Sequence, residues 1–266
     1  MDILEEIVAY KRLEIERMKA EQPFEDIRLM VEAGSLPSVS SMRASLMRRG
    51  YGIIAEFKRR SPSKDWINAE ARADSVPRQY ERGGAAAVSI LTDNHFFGGD
   101  NRYVKEARES GLTLPVLYKN FVIDEYQIYQ ARMYGASAVL LIAACLDGDT
   151  CGRYISIAHR LGMEVLLEIH SEEELPYASL QPDMIGVNNR NLGTFVTDVG
   201  NSFRLASRLP SDICKVSESG ISDAAVVARL IEAGYNGFLI GENFMRAANQ
   251  EAAISDFLLG IEREKS

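Results

Sequence analysis

The sequence predicts an α/β protein, a (β/α)8 TIM barrel with an N-terminal helical extension. Three observations point there. Eight short apolar runs with strand character recur along the chain, helix-type segments fit between them, and polar side chains gather at the C-terminal ends of the runs. The runs are Gly52–Lys58, Ala86–Thr92, Leu114–Lys119, Ala138–Ala144, Met163–Glu168, Asp183–Asn188, Ile213–Ser217 and Gly237–Gly241. They fall roughly 20 to 35 residues apart, about one βα unit each. Continuous apolar strands alternating with helices imply a parallel sheet covered on both faces, and eight such units close most simply into a barrel. An open doubly wound sheet is the structural alternative. It more often carries a glycine-rich dinucleotide loop after its first strand, and here that loop reads KRRSPSK.

Residues 1–50 precede the first strand and read as two or three short helices, Asp2–Met18, Phe24–Glu32 and Ser40–Arg48. No linker-like segment separates them from the first strand. Residues 1–266 are therefore expected to form a single domain, with residues 1–50 packed on the barrel. In the first strand, side chains alternate between faces, so Ile54, Glu56 and Lys58 point the same way. Two charges aimed inward make sense if they line a polar hollow above the apolar interior, where they partly neutralise each other. Asp124–Tyr134 reads as a helix with Tyr126, Tyr129 and Met133 on one side. Ser222–Ala233 opens with the cap-type residues Ser222 and Asp223 and ends at Gly234, a helix-stop signal. Gly83-Gly84-Ala85 and Gly135-Ala136 stop helices in the same way just before the chain re-enters the sheet.

Composition removes several function classes. At 46% hydrophobic and 26% charged residues the chain is an ordinary globular one. A net charge of −8 without a basic block argues against nucleic acid as a partner. No stretch approaches the ~18 apolar residues of a membrane span, and the amphipathic N-terminus lacks the apolar core of a signal peptide. A cytoplasmic protein, monomeric or weakly self-associating, acting on a small molecule, is the expectation. Cys145, Cys151 and Cys214 show no CxxC pairing or Cys/His metal spacing, so neither a disulfide framework nor a structural metal is expected. Cys145 and Cys214 read as small buried hydrophobes. His95 and His170 read as structural groups.

The strand ends carry the chemistry. Glu56 and Lys58 close the first strand, Lys119 the third, Glu168 and His170 the fifth. Asn188 and Arg190 close the sixth, Glu218 and Ser219 the seventh, Gly241 and Glu242 the eighth. In a barrel these ends meet at one mouth, where barrel active sites sit. The turns VSESGISDAA and FLIGENFM come after the seventh and eighth strands, where barrels frequently bind phosphate. Gly220 and Gly241 lack a Cβ and let backbone N–H groups approach an anion, helped by a helix N-terminus. Glu242 is an awkward neighbour there, and its side chain must turn away. A lysine at a crowded cationic mouth has its pKa lowered toward the useful range for acid catalysis. A partly buried glutamate among other carboxylates has its pKa raised. Lys119 and Glu168, two strands apart, can act on opposite sides of one small substrate. Lys58 can bind a substrate carboxylate or serve as a second acid, and a lysine Schiff base is the rival use. Phe96, Phe97 and Phe121 offer an apolar wall for a flat ring.

The stretches IIAEFKRRSPSK, ILTDNHFFGGD, LPVLYKNFVIDEYQIYQAR, VLLEIHSEEEL, IGVNNRNLGTF, VSESGI and GFLIGE together resemble indole-3-glycerol phosphate synthases, and the resemblance runs from about Ile3 to the last helix. It implies a (β/α)8 barrel whose N-terminal extension helps cover the active site. It also implies a carboxy-lyase of tryptophan biosynthesis that needs no cofactor or metal. By this resemblance, Lys119 is the general acid, Glu168 the carboxylate partner in dehydration, and Lys58 the lysine that engages substrate carboxylate and phosphate. Glu56, Asn188 and Glu218 hold substrate hydroxyls, with Arg190 supporting them. Ser61, Ser219, Gly220, Gly241 and Glu242 surround the phosphate and the first loop. Phe97, Phe121, Leu140, Leu192 and Leu239 form the apolar cleft for the anthranilate ring. Two departures stand out. Asn120 replaces the aspartate usual after the lysine, which removes one influence holding Lys119 protonated and predicts a shifted pH profile. Asp65 stands where glycine is favoured, a strained choice if φ is positive there. Tyr118 stands where arginine is common, with parity opposite to Lys119. A different phosphate-sugar barrel working through a Schiff base, and a barrel that binds without turnover, are the rival readings.

Overall fold

The eight runs form one closed barrel of parallel strands in a computed structural model, which describes residues 3–34, 36–62, 64–191, 193 and 196–265. The barrel strands are β1 (Gly52–Phe57), β2 (Ala87–Leu91), β3 (Val116–Lys119), β4 (Ala138–Ile142), β5 (Glu164–Ile169), β6 (Met184–Asn188), β7 (Cys214–Glu218) and β8 (Gly237–Ile240). Neighbours in sequence are neighbours in the sheet, and β1 closes on β8 with Gly52 opposite Gly237. Boundaries shift from expectation for local reasons. Pro115 has no N–H to give the ladder, so β3 starts at Val116. Residues Ala143–Cys145 leave β4 as a 3₁₀ turn.

Alternation divides the strand side chains between two cores. Ile54, Leu117, Leu140, Leu166, Val216 and Leu239 point into the barrel and pack on one another. Ile53, Ala55, Phe57, Tyr118, Leu167 and Phe238 point outward into the layer beneath the helices. The outer layer comprises α4 (Val76–Arg82), α5 (Arg102–Glu109), α6 (Glu125–Tyr134), α7 (Gly148–Arg160), α8 (Gly200–Ala206), α9 (Ala224–Glu232), the short α10 (Glu242–Met245) and α11 (Gln250–Glu264). The fifth unit has a 3₁₀ stretch, Glu172–Leu180, in place of an α-helix, and Pro176 lies inside it. The helix-stop glycines behave as read: Gly84, Gly135 and Gly234 have φ of +97°, +93° and +95°. Asp124 caps α6 in a capping box with Gln127, and Asp223 caps α9 by accepting from Ala225 N–H.

The first 50 residues hold three helices, each with a separate task. Helix α1 (Ile3–Glu21) lies across the mouth, where Ile3, Leu4 and Ile7 face the cleft below. Helix α2 (Phe24–Glu32) packs on α6, with Phe24 5.2 Å from Tyr129. With α1, α5 and α7 packed on its other sides, α6 is buried almost all round, where the sequence pattern indicated one apolar side. Helix α3 (Met42–Met47) closes the opposite, N-terminal end. Its Met42 and Leu46 are fully buried and join the inner core with Ile54 and Ala87. Glu164, at the start of β5, accepts from Met42 N–H at 2.7 Å and Arg43 N–H at 2.9 Å, which pins the start of α3 to the barrel floor.

Leu46→Ala is expected to cost about 2–5 kcal/mol, because the barrel floor cannot collapse onto the missing side chain. Leu13→Ala on the exposed face of α1 is expected to stay within about 0.5 kcal/mol. Urea denaturation of the two variants checks the difference; equal midpoints would show that α3 is not part of the core.

Candidate active site

The strand ends converge as the barrel requires. Lys119 Nζ lies 2.6 Å from Glu218 Oε2 and 3.3 Å from Glu168 Oε2. Lys58 Nζ lies 2.6 Å from Glu56 Oε1, so the two charges of the first strand do face each other inside the mouth. They line a cleft of about 480 Å³. Its polar side is formed by Glu56, Lys58, Ser61, Lys119, Glu168, Asn188, Arg190, Ser219, Gly220, Gly241 and Glu242, and its apolar side by Phe97, Phe121, Leu140 and Leu239. Glu218 sits behind Lys119. Leu192 lies outside the described residues. Phe96 is not part of the wall; its ring packs edge-on against Tyr10 and His95 on the outside of the loop.

The electrostatics correct one expectation. The surroundings of Lys119 are anionic, not cationic. Burial alone would lower its pKa, but Glu218, Glu168 and Glu56 outweigh burial and hold it well above the usual lysine value. Lys119 therefore stays an ammonium, which disfavours a Schiff base because imine formation needs the neutral amine. The raised carboxyl belongs to Glu218. Burial raises it most, Lys119 opposes, Glu168 reinforces, and the result is about 7. Burial would also raise Glu168, but Lys119 and His170 overcome it and keep that group firmly ionised. Asn120 turns away from Lys119: it donates to Thr92 Oγ1 at 2.8 Å, and its own Oδ1 accepts from Phe121 N–H. With three carboxylates already around Lys119, the substitution gives no ground for a shifted pH profile.

The glycine turns are tighter than the sequence discloses. Ser219 and Gly220 are consecutive left-handed residues, with φ of +69° and +73°. Successive N–H groups in such turns form anion-binding concavities. Of the two helix starts nearby, α9 is already capped by Asp223, whereas Gly241 places no side chain over the first turn of α10. Gly241 is also needed for a second reason, since a Cβ there would lie 2.6 Å from Glu56 Oε1. Glu242 turns to Arg246, 3.0 Å away, which neutralises it while it still lines the cleft. Asp65 has φ of +54°, as feared for a position that favours glycine, and its carboxylate accepts from Arg60 Nε at 3.1 Å.

Sequence reasoning missed four contributors. Arg246 and Asn243 line the cleft beside Gly241, one turn further along a helix too short to show a pattern. His170, read as structural, stands behind Glu168 with Nε2 3.2 Å from Oε1. Burial opposes its charge, but Glu168 and Glu174 push its pKa up to about 10, so it backs Glu168 with a cation. Gly186 on β6 carries no functional group, yet a Cβ there would stand 2.1 Å from Glu218 Oε1.

Comparison with known proteins supplies the family. The family model for indole-3-glycerol phosphate synthase matches residues 4–257. The chain belongs to the indole-3-glycerol phosphate synthase family. An indole-3-glycerol phosphate synthase from Bacteroides thetaiotaomicron is 52% identical over 98% of this chain and 99% of its own length. One from Neisseria meningitidis is 45% identical over 95% of this chain and 98% of its own length. Among solved structures, a thiamine phosphate pyrophosphorylase from Pyrococcus furiosus matches with a TM-score of 0.63 at 16% identity, covering 85% of this chain and 100% of that one. At that identity the likeness concerns the barrel alone. Membership of the synthase family gives the convergent lysine and glutamates a chemical context that the barrel by itself does not.

The carboxylate cluster has two testable consequences. Glu218 binds a proton more tightly folded than unfolded. Its contribution to stability is therefore fully present below its ordinary value of 4.5 and is lost as pH rises through about 7. The melting temperature of the wild type should fall relative to that of Glu218→Gln across this window; a constant difference would show that Glu218 is ionised throughout. Gly186→Ala should lower turnover on the order of 10²-fold by displacing the Glu218 carboxylate. Adding Glu218→Asp, which shortens the clashing side chain, should recover part of the loss; no recovery would mean that the alanine acts elsewhere.

Proposed function

We propose that this chain is an indole-3-glycerol phosphate synthase, closing 1-(2-carboxyphenylamino)-1-deoxyribulose 5-phosphate into indole-3-glycerol phosphate with release of CO2 and water. The observation that carries the reading is the meeting of Lys119, Glu168 and Glu218 within 3.3 Å beside an uncapped anion seat and an aromatic wall. The phosphate is placed at Ser219, Gly220, Gly241 and the first turn of α10, with Lys58 and Ser61 opposite. The ring is placed between Phe97, Phe121, Leu140 and Leu239. Anchoring both ends folds a flexible ribulose chain so that ring carbon and ketone carbon approach, which is the entropic part of the catalysis.

In this reading, Lys119 gives its proton to the ketone oxygen as the ring carbon bonds to the carbonyl carbon. A raised pKa suits that role, because the oxygen becomes an alkoxide, a stronger base than a lysine amine. The carboxylate on the attacking carbon then leaves as CO2, its bonding pair restoring the aromatic ring. Loss of the new hydroxyl as water needs an acid at the oxygen and a base for the adjacent C–H proton. Glu168, held ionised by Lys119 and His170, is the base, and Lys58 or reprotonated Lys119 is the acid. Glu56 and Asn188 hold hydroxyls and Arg190 braces them, while Glu218, expected among them, instead stands behind Lys119 and orients its ammonium. We further infer a single domain over residues 1–266, in which residues 1–50 roof and floor the barrel, acting as a monomer or weak homo-oligomer in the cytoplasm. The three free thiols fit a reducing compartment.

Appearance of indole absorbance or fluorescence from the carboxyphenylamino substrate tests the reaction, and silence from folded protein at saturating substrate rejects it. Lys119→Ala should lose at least ~10²-fold in turnover while still binding substrate. Unchanged turnover would take the acid role from Lys119, and a borohydride-trapped adduct on Lys58 or Lys119 would move the protein to the Schiff-base class.

A further inference from the structure

Lys11 is a cation where helix α1 should present an apolar side chain. It comes after Leu4 and Ile7 on the helix face turned to the barrel and precedes Ile15, all buried. Its own side chain is 1% exposed, and its Nζ lies 2.6 Å from Oδ2 of Asp93, which is 0% exposed. Glu14 completes the cation's partners. Asp93 lies just past the end of β2. Its second oxygen accepts from Phe96 N–H at 2.8 Å and Phe97 N–H at 3.2 Å. One carboxylate thus joins the helix that bears Ile3, Leu4 and Ile7 to the turn that bears Phe97. Phe97 in turn lies 6.0 Å from Phe121 across the apolar end of the cleft. Tyr10 adds a stacking contact with His95 at 4.1 Å on the outer side of the same turn.

We propose that Lys11 and Asp93 are positioning residues for the aromatic end of the cleft, setting the height of its roof and the orientation of its wall through one buried ion pair. This rests on the reading of that end as the ring subsite. Stability alone does not account for the pair. Taking two charges out of water costs roughly what their attraction returns, so a well-packed apolar or neutral pair holds two elements together equally well. What an ion pair with a bidentate acceptor adds is direction. Asp93 must point one oxygen at Lys11 and the other at two consecutive backbone N–H groups, and a slide of α1 along its axis breaks the first contact without a substitute. Further along, α1 is anchored to the start of α6, where Lys19 Nζ lies 2.7 Å from Asp124 Oδ2 and Tyr126 O–H donates to Met18 C=O at 3.2 Å; the Lys11–Asp93 pair is what ties it to the turn that bears Phe97.

The test uses the full chain. Lys11→Met alone leaves a buried carboxylate unpaired and is expected to impair folding, so the informative protein is the double variant Lys11→Met/Asp93→Asn. It keeps an acceptor for Phe96 and Phe97 N–H, and its melting temperature should stay near that of the wild type. Its KM for the carboxyphenylamino substrate should rise about tenfold, equivalent to ~1.4 kcal/mol of binding, with kcat within about threefold. Direct titration with two non-reacting probes separates this proposal from the assigned reaction. The reduced substrate, an anilino-pentitol phosphate, should bind the double variant about tenfold more weakly, while a pentitol phosphate without the ring should bind wild type and variant alike. That pattern supports the proposal even if no turnover is ever seen. Equal weakening of both probes, or an unchanged KM, would overturn it.

Discussion

One ammonium among three carboxylates governs the mouth of this barrel. Lys119 is nearly out of solvent, and so are Glu56, Glu168 and Glu218. Buried charges persist only when paired. Removing Lys119 takes from Glu218 and Glu168 the cation they share in a low-dielectric interior. The neighbouring features make sense as conditions for that cluster. Lys58 neutralises Glu56, His170 neutralises Glu168, and Glu218, the carboxyl with least help, is the one that burial pushes toward its neutral form. The glycines at 186 and 241 are cut to fit the carboxylates of Glu218 and Glu56. The site is thus crowded in a specific sense: its charges fix each other's protonation before any substrate arrives.

Much of this was legible because strands have a period of two. Glu56 and Lys58 had to share a face with Ile54, and eight apolar runs had to close on themselves, so the convergence of the mouth could be read from the chain. Depth could not. Period tells which way a side chain points and not how far above the core it sits, which is why Glu56 reads as cavity-lining and proves almost fully buried. Partnership was equally hidden. Lys11 and Asp93 are 82 residues apart and meet only because α1 crosses the mouth. Nothing local to either marks the pair, apart from a lysine at an apolar helix position. Which of two glutamates would be raised depended on His170, whose ring could be placed behind Glu168 only by the turn after β5.

The end of the cleft proposed for the phosphate shows a different relation between sequence and shape. Glycines after β7 and β8 announced a close backbone approach, but the structure assigns them unequal tasks. At Ser219-Gly220 the backbone itself is bent into the left-handed region, and the serine bears strain that such regions store at functional turns. At Gly241 the backbone φ is ordinary and the requirement is steric. Asp65 repeats the first situation in the β1 loop, where its carboxylate offsets part of the conformational cost by binding Arg60. A glycine in a sequence signals that a Cβ is unwelcome; only the surroundings tell whether φ, an anion or a neighbouring carboxylate excludes it.

A chain of net charge −8 with a carboxylate-rich cleft is an unexpected host for a substrate that bears a phosphate and a carboxylate. The resolution is distance. Exposed charges farther than about 8–10 Å are screened at physiological salt, so the overall acidity acts on solubility and hardly on the cleft. Within the cleft the balance is local: Lys58, Lys119, Arg190 and Arg246 stand against Glu56, Glu168 and Glu242. Glu242 is already spent on Arg246, and Glu56 on Lys58. An arriving dianion therefore competes for Lys58 and Lys119 with the strand-end carboxylates Glu56, Glu168 and Glu218. If Lys58 engages the phosphate as proposed, it leaves Glu56, and the freed carboxylate is then open to accept from the sugar hydroxyls.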